Sequence, residues 1–296
     1  MESVIRTGGL AKSYHGRPAL RGIDLDVPAG TVFGYLGPNG AGKTTTIRLL
    51  TGLMRPTAGR AEVFGLDTVR DRERVQRRIG YLPGDFVAYP KMTGEQYLRY
   101  LANLRGGIGW AAADALAKRL DLDLGVRIGA LSHGNKQKVG IVQAFMHEPD
   151  LLVLDEPTSG LDPLMQREFL AMVREAREQG RTVFLSSHVL SEVEAVADTV
   201  GMLLAGRLVV VESVHGLKRR ALHRMDLTFE HTPPLAALQA ATGVREASTH
   251  GQTVHLVVEG STADLLQAAA PHRVAQVVTH EPDLEEIFLD FYRRQA

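Results

Sequence analysis

No cysteine occurs in the 296 residues, which excludes disulfides, iron–sulfur ligation, thiolate zinc sites and a thiol nucleophile. Net charge is absent too: 34 Lys and Arg stand against 34 Asp and Glu. That balance leaves no long-range field for nucleic acid and confines any basic contact to a local patch. Long apolar runs are also missing. Residues 1–10 hold no hydrophobic segment of a secretion signal, and the most apolar later stretch, 196–211, is broken by Asp198 and Arg207. Neither a leader nor a membrane span is therefore expected, and work at a membrane would need another chain to supply the spans. What is present is ordinary: 44% hydrophobic and 23% charged residues suit a packed core rather than extended disorder. The length suggests one large domain with a small appendage.

Residues 23–36 alternate and then run apolar into a Gly-rich turn, so a strand and loop are expected, followed by a helix from Thr44 with Ile47, Leu49 and Leu50 on its apolar face. A short strand follows at 79–82. Mostly helical segments are expected between 96 and 146, including the Tyr97, Leu98, Tyr100, Leu101, Leu104 pattern. Residues 151–154 and 182–186 are apolar runs too short for helices and end in polar groups, as buried parallel strands do when they carry a site at their carboxyl ends. Between them, 164–179 suits a crossover helix closed by Gly180. The order implies an α/β core ended by a hairpin over 200–211, turning at Ala205 and Gly206.

The basic segment 215–224 lacks a clear apolar face and is taken as a linker, dividing the chain into 1–214 and 225–296, with a helical subdomain at about 85–146. The second part suggests strand (225–230), helix (234–241), strand (244–249), a turn at His250 and Gly251, strand (254–259), helix (263–270) and strand (274–279). That is a β-α-β-β-α-β order, the ferredoxin-like α+β pattern. A closing helix from Leu284 would place Leu284, Ile287, Phe288 and Phe291 on one face, with Asp283 and Glu286 spaced as an N-cap and its partner.

Gly37-Pro38-Asn39-Gly40-Ala41-Gly42-Lys43-Thr44 fits G-x-x-x-x-G-K-[ST] between an expected strand and an expected helix. Glycines allow backbone N–H groups to turn around phosphate oxygens, and the helix N-terminus adds a positive dipole end. Lys43 would neutralise phosphate charge and the Thr44 hydroxyl would ligate magnesium. Asp155 and Glu156 close an apolar strand, where adjacent carboxylates are costly unless a cation or a proton transfer uses them. Asp155 would hold magnesium and Glu156 would polarise the attacking water. His188 follows the next strand at the same sheet edge.

Leu131-Ser132-His133-Gly134-Asn135-Lys136-Gln137 precedes a helix, and Ser159-Gly160-Leu161-Asp162 follows the acidic pair. With these motifs in this order, the first 215 or so residues resemble the nucleotide-binding subunit of an ABC transporter, a P-loop NTPase. The resemblance implies that 131–135 is the signature motif, 159–162 the D-loop, His188 the switch histidine and Tyr14 the aromatic that stacks on adenine. Nucleotide contacts carried over in this way are Tyr14, Gly37, Pro38, Asn39, Gly40, Ala41, Gly42, Lys43, Thr44, Thr45, Ser132, Gly134, Asn135 and Asp162. Catalysis falls to Glu156, His188 and Lys43, and metal ligation to Thr44 and Asp155. The Gly134 to Lys138 run is similar to ABC-2 type exporters, as is the 281–288 run to their C-terminal extension.

Three positions depart from the family pattern. His133 stands for Gly and Asn135 for Gln in the signature, and Gly84, followed by Asp85, holds the place of the Q-loop Gln or acid. The guanine-selecting N-K-x-D motif is absent, since Asn135-Lys136 is followed by Gln137-Lys138, which favours ATP.

Ser132 and the N–H groups of its helix form a second anion site, yet one triphosphate can hardly use two helix N-termini of one rigid chain. A second copy or a homologous subunit, packed head to tail, resolves this. The expectation is an ATP hydrolase that closes as a dimer around two ATP·Mg and drives a separate multi-span permease at the cytoplasmic membrane face. The resemblance implies export of a small hydrophobic compound. Arg70, Arg72, Arg74, Arg77 and Arg78, and likewise Lys218, Arg219, Arg220 and Arg224, are taken as solvated faces. The alternative is a soluble ABC-type switch or a regulatory module without transport. A single cassette without a coiled-coil insert counts against the first, and the Asp155-Glu156 pair against the second.

Overall fold

The computed structural model describes residues 2–107, 109–220, 222–280, 284, 285, 287 and 288. Contacts divide the chain into two compact units, Met1–Val211 and Glu212–Ala296. Up to the hairpin, the order is β1 (Ser3–Tyr14), β2 (Arg17–Pro28), β3 (Val32–Leu36), α1 (Lys43–Leu50), β4 (Ala58–Val63), β5 (Leu66–Asp67), α2 (Arg72–Arg78), β6 (Ile79–Leu82), α3 (Gly94–Leu104), α4 (Trp110–Arg119), α5 (His133–Phe145), β7 (Leu151–Asp155), α6 (Pro163–Glu178), β8 (Thr182–Ser187), α7 (Leu190–Val196), β9 (Thr199–Leu204) and β10 (Arg207–Ser213).

β3, β7 and β8 are buried at every position, as strands covered on both faces must be. They lie inside a six-stranded sheet of order β10-β9-β3-β8-β7-β6. Parallel registers set Leu36 beside Ser187 and Asp155 beside Ser186, so the loops after these three strands emerge at one edge. A second, antiparallel sheet has the order β2-β1-β4-β5. One core cluster joins the two sheets through α1: Ile5, Leu10, Ile23 and Val63 meet Ile47, Leu50, Tyr35, Val153 and Phe184. Phe184 stacks on Phe33 at 5.6 Å and tilts against Tyr35 at 5.1 Å.

β1 is a strand that hydrophobic patterning does not reveal. Gly8 and Gly9 interrupt its apolar residues, and the pairing with β2 shifts register between Thr7 and Leu10, so a bulge carries the strand across the break. The α3 pattern is only half a core face: Tyr97 and Leu98 are buried, whereas Tyr100 and Leu104 are exposed. The arginines around α2 are exposed, with Arg74 paired to Asp71 at 3.0 Å and Arg78 to Asp150 at 2.8 Å.

The second unit corrects the expected linker. Residues 214–220 form α8 (Val214–Arg220), in which Val214 and Leu217 are buried, and the next strand already starts at Leu222. Two apolar residues per seven give too little periodicity to signal a helix in a sequence this basic. The side chains of Arg219 and Arg220 lie outside the described set. Then follow β11 (Leu222–Phe229), α9 (Leu235–Gln239), β12 (Val244–His250), β13 (Thr253–Glu259), α10 (Ala263–Ala269) and β14 (Val274–His280). Their sheet order, β12-β13-β11-β14 with antiparallel neighbours, is the ferredoxin-like order expected. His250 still belongs to β12, so the turn falls one residue later, at Gly251 and Gln252. Met225, Leu227 and Phe229 alternate into a core with Leu238, Leu256 and Leu265. In the closing segment Leu284 and Ile287 are helical and buried, while Asp283, Glu286 and Phe291 lie outside the described residues.

Phe184→Ala removes a fully buried ring from the cluster that joins the sheets and is expected to cost the first unit about 3–5 kcal/mol. Urea unfolding followed by circular dichroism checks this; an unchanged midpoint would show that the ring does not hold the core.

Candidate functional site

The site is built from the aligned strand ends. Residues 37–42 leave β3 and enter α1, and their path depends on glycine. A Cβ at Gly37 would fall 2.4 Å from the Leu203 carbonyl oxygen. At Gly42, with φ +115°, it would fall 2.6 Å from Leu20 Cδ2. The loop is tied internally by Ala41 N–H to Pro38 O, and to the hairpin turn by Gly206 N–H to Ala41 O. Lys43, only 6% exposed, donates from Nζ to Gly37 O at 2.7 Å and pairs with Glu156 Oε1 at 3.4 Å.

Asp155, 1% exposed, ends β7. Its Oδ1 accepts from Ser186 Oγ, and its Oδ2 is buried with no hydrogen-bond partner. An orphaned carboxylate oxygen is costly, and a cation is the natural group to satisfy it. The Thr44 hydroxyl belongs to the same cleft. One carboxylate and one hydroxyl fit Mg²⁺, which is usually held by few protein groups together with phosphate and water. Among the described residues there is no cluster of three or more His, Asp or Glu able to hold a metal by itself.

Glu156 adopts φ +49°, a left-handed backbone uncommon for a residue with a side chain. Its N–H donates to Ser186 O at 3.0 Å, and its carbonyl accepts from Gln137 Nε2 at 3.3 Å. The turn aims the carboxylate between Lys43 and His188, whose Nδ1 donates to Oε2 at 2.6 Å. Because a carboxylate oxygen only accepts, Nδ1 carries the proton and Nε2 is the ring's second site.

These groups border an open cleft of about 280 Å³ lined by Asn39, Thr44, Arg48, Tyr81, Pro83, Gly84, Asp85, Asp155, Glu156, Ser159 and His188. A Cβ at Gly84 would stand 3.5 Å from Asp155 O and 3.6 Å from Oδ2, so this position lies directly against the carboxylate. Burial, and then the Asp155 charge, push the Tyr81 hydroxyl up to about 12. Arg48 was not among the residues singled out from sequence. It lies one helical turn beyond Thr44 on α1, and that i,i+4 spacing is the signal that could have found it.

Other residues singled out from the motifs do not line this cleft. Ser132 caps α5, its Oγ accepting from Asn135 N–H at 3.2 Å. The next residues pack away from the cleft onto the loop after Glu156. His133 rests on Gly160, and a Cβ at Gly134 would fall 2.4 Å from Gly160 O. Asp162 has a structural partner in the described fold: its Oδ1 caps α6, accepting from Leu164 and Met165 N–H at 3.0 and 3.1 Å. Thr45 is half-buried in the first turn of α1. Tyr14 ends β1, partly exposed, with Lys12 Nζ 5.5 Å from its ring centroid and its hydroxyl on Met54 Sδ.

The family model described as "ABC transporter" matches residues 20–159. The bacitracin transport ATP-binding protein BcrA of Bacillus licheniformis is 37% identical over 233 residues, which cover 78% of this chain and 76% of the relative. The daunorubicin resistance ATP-binding protein DrrA3 of Streptomyces coeruleorubidus is 35% identical over 302 residues, covering 97% and 95%. A solved structure titled as an ATP binding subunit of an ABC transporter superposes with a TM-score of 0.68 at 32% identity, covering 73% of this chain and 92% of that one.

Lys43→Ala removes the cation of the loop. Losing a charge-assisted contact to phosphate is expected to weaken ATP binding by about ten- to a hundredfold. Titration with a fluorescent ATP analogue measures it, and an unchanged dissociation constant would take Lys43 out of the site.

Proposed function

This chain belongs to the ABC transporter family and carries that family's ATPase cassette; from that premise we propose that two copies close head to tail around two ATP·Mg and pass the motion to a separate multi-span permease. The observation that carries the reading is the separation of two half-sites on one chain. Thr44, Asp155, Glu156 and His188 converge on one cleft, while Ser132 at the N-terminus of α5 lies outside it. A triphosphate seated on the 37–44 loop is completed by the α5 N-terminus of the other copy, where backbone N–H groups and the Ser132 hydroxyl meet the γ-phosphate.

Thr44 and Asp155 would hold Mg²⁺, which when bound neutralises charge on the phosphate oxygens. Lys43 exchanges Gly37 O and Glu156 for phosphate oxygens, which releases the Glu156 carboxylate to accept a proton from the attacking water. His188 holds Glu156 through Nδ1–H and presents its ring at the cleft where charge develops as the phosphoryl group transfers. ATP binds the closed dimer better than the open one because closure adds contacts from the other copy. That difference in affinity is what shifts the equilibrium, and loss of γ-phosphate reverses it.

Among the described residues no helix is long and apolar enough to cross a membrane, which suits a subunit seated at the cytoplasmic membrane face against a permease. An exposed apolar patch supports such a contact. Val87, Tyr89 and Tyr100 are exposed, and the Tyr89 ring stands edge-on to Tyr100 and to the buried Tyr97, which in turn meets the half-buried Phe86. The cargo is a small hydrophobic compound, drug or lipid-like, moved outward. The names of relatives, bacitracin transport and daunorubicin resistance, support that class.

Glu156→Gln is expected to keep ATP binding, lose most turnover and accumulate a dimer in ATP and Mg²⁺. Light scattering that shows only monomer at saturating nucleotide would remove the sandwich. A mild-detergent pull-down from membranes is expected to recover a multi-span partner, and recovery of the subunit alone would remove the transport reading.

A further inference from the structure

Glu192, in the first turn of α7, is a buried carboxylate that the chemistry above leaves unused; it is only 8% exposed. Its Oε2 accepts a hydrogen bond from Thr158 Oγ1 at 2.7 Å and lies 3.5 Å from Ser187 Oγ. Thr158 comes two residues after Glu156, and Ser187 immediately precedes His188. One oxygen thus touches both of the segments whose side chains meet in the 2.6 Å Glu156–His188 contact. Burial raises the Glu192 carboxyl above its ordinary value, opposed by the hydrogen bonds from Thr158 and Ser187, with the Glu156 charge adding to the effect and His188 opposing it.

The backbone of the Glu156 turn explains why such a tie is needed. A residue with a side chain at φ +49° persists only where its surroundings over-determine it. Besides the Ser159 N–H to Glu156 O bond within the turn and the His188 contacts to the carboxylate, the turn is held by Glu156 N–H to Ser186 O, by Gln137 Nε2 to the Glu156 and Pro157 carbonyls, and by Thr158 to Glu192. The first fixes the start of the turn and the second its carbonyls. The third alone links the turn to the helix that follows His188.

We propose that Glu192 is a positioning residue for ATP hydrolysis, fixing the Glu156 turn against the His188 loop through Thr158 and Ser187 and so keeping the two side chains in hydrogen-bond register. The proposal rests on the roles given to Glu156 and His188 under the proposed function. Glu192 does not line the cleft; it determines where the group that accepts the proton stands. Misplacing that group should slow the chemical step and leave nucleotide binding, which uses the 37–44 loop, as it was.

The test uses the full chain, with steady-state ATPase rates, nucleotide titration and thermal unfolding for each variant. Glu192→Ala is expected to lower kcat about ten- to a hundredfold with ATP affinity within about threefold of the parent. Glu192→Gln keeps an acceptor oxygen for Thr158 and is expected to hold kcat within about threefold of the parent. Thr158→Val keeps the carboxylate but removes the hydroxyl and should reproduce the loss, which carries the test if the alanine variant does not fold. Parental kcat in Glu192→Ala or Thr158→Val, equal losses in Gln and Ala, or matching losses of kcat and affinity would each overturn the proposal. Glu156→Gln run alongside separates the two readings. Full turnover there defeats the assigned role of Glu156, whereas full turnover in Glu192→Ala with a dead Glu156→Gln defeats only the role of Glu192.

Discussion

Two adjacent carboxylates at the end of a buried strand set the terms for everything around them. Asp155 is almost wholly buried at the end of β7 and Glu156 only partly exposed beyond it, and an ionised group so removed from water is costly without a compensating partner. The fold divides the problem between them. Asp155 continues the strand and meets the Ser186 hydroxyl with one oxygen. Glu156 breaks into a left-handed turn and takes its partners, Lys43 and His188, from the segments that follow β3 and β8. Those partners can reach it because the parallel registers align β3, β7 and β8 at the same edge. The topology of the sheet is in this sense an electrostatic requirement of the site.

The departures from the family pattern look different once placed in space. A Cβ at Gly84 would stand in van der Waals contact with Asp155, 3.6 Å from its unpartnered Oδ2, so glycine leaves that space unfilled, and Asp85 lines the same cleft. Tyr81 and Arg48 line the cleft as well. His133, by contrast, has no place in the chain's own cleft. Its ring covers Gly160, where a smaller residue would leave the loop after Glu156 uncovered.

Legibility followed the strength of the local chemistry. The 37–44 loop and the acidic pair could be read as a candidate site because few residue types satisfy phosphate and magnesium at that spacing, whereas His188 was singled out only through the family resemblance that the order of the motifs carries. The central strands could be read because burial on both faces leaves uninterrupted apolar runs. β1 could not, because Gly8 and Gly9 break its alternation and the bulge that absorbs them is fixed by pairing with β2. α8 could not, because its basic residues mask the two that are buried. Asp162 shows another limit: the same Asp suits a nucleotide contact and a helix cap, and Pro163 at the first helical position was the sign of the second. Glu192 gave no signal, since the Thr158 hydroxyl it binds lies 34 residues away, and Gln137, though part of the 131–137 run, gave no sign of the carbonyls it holds 19 and 20 residues on.

The packing of α5 bears on how the proposed dimer could respond to its ligand. Ser132 faces outward at the first turn, but the residues behind it are locked to the loop after β7. His133 and Gly134 close on Gly160, and Gln137 holds the carbonyls of Glu156 and Pro157. Close-packed contacts of this kind cannot give independently, because a shift of α5 would compress the Gly160 carbonyl against Gly134 or break buried hydrogen bonds. The first turn of α5 and the 156–160 loop therefore behave as one body. In a head-to-tail pair, a phosphate that engages Ser132 in one site acts on the body that carries Glu156 of the other. Neither site then needs a separate device to sense its neighbour, because the strained turn at Glu156 is already bound to the surface that the neighbour's nucleotide would touch.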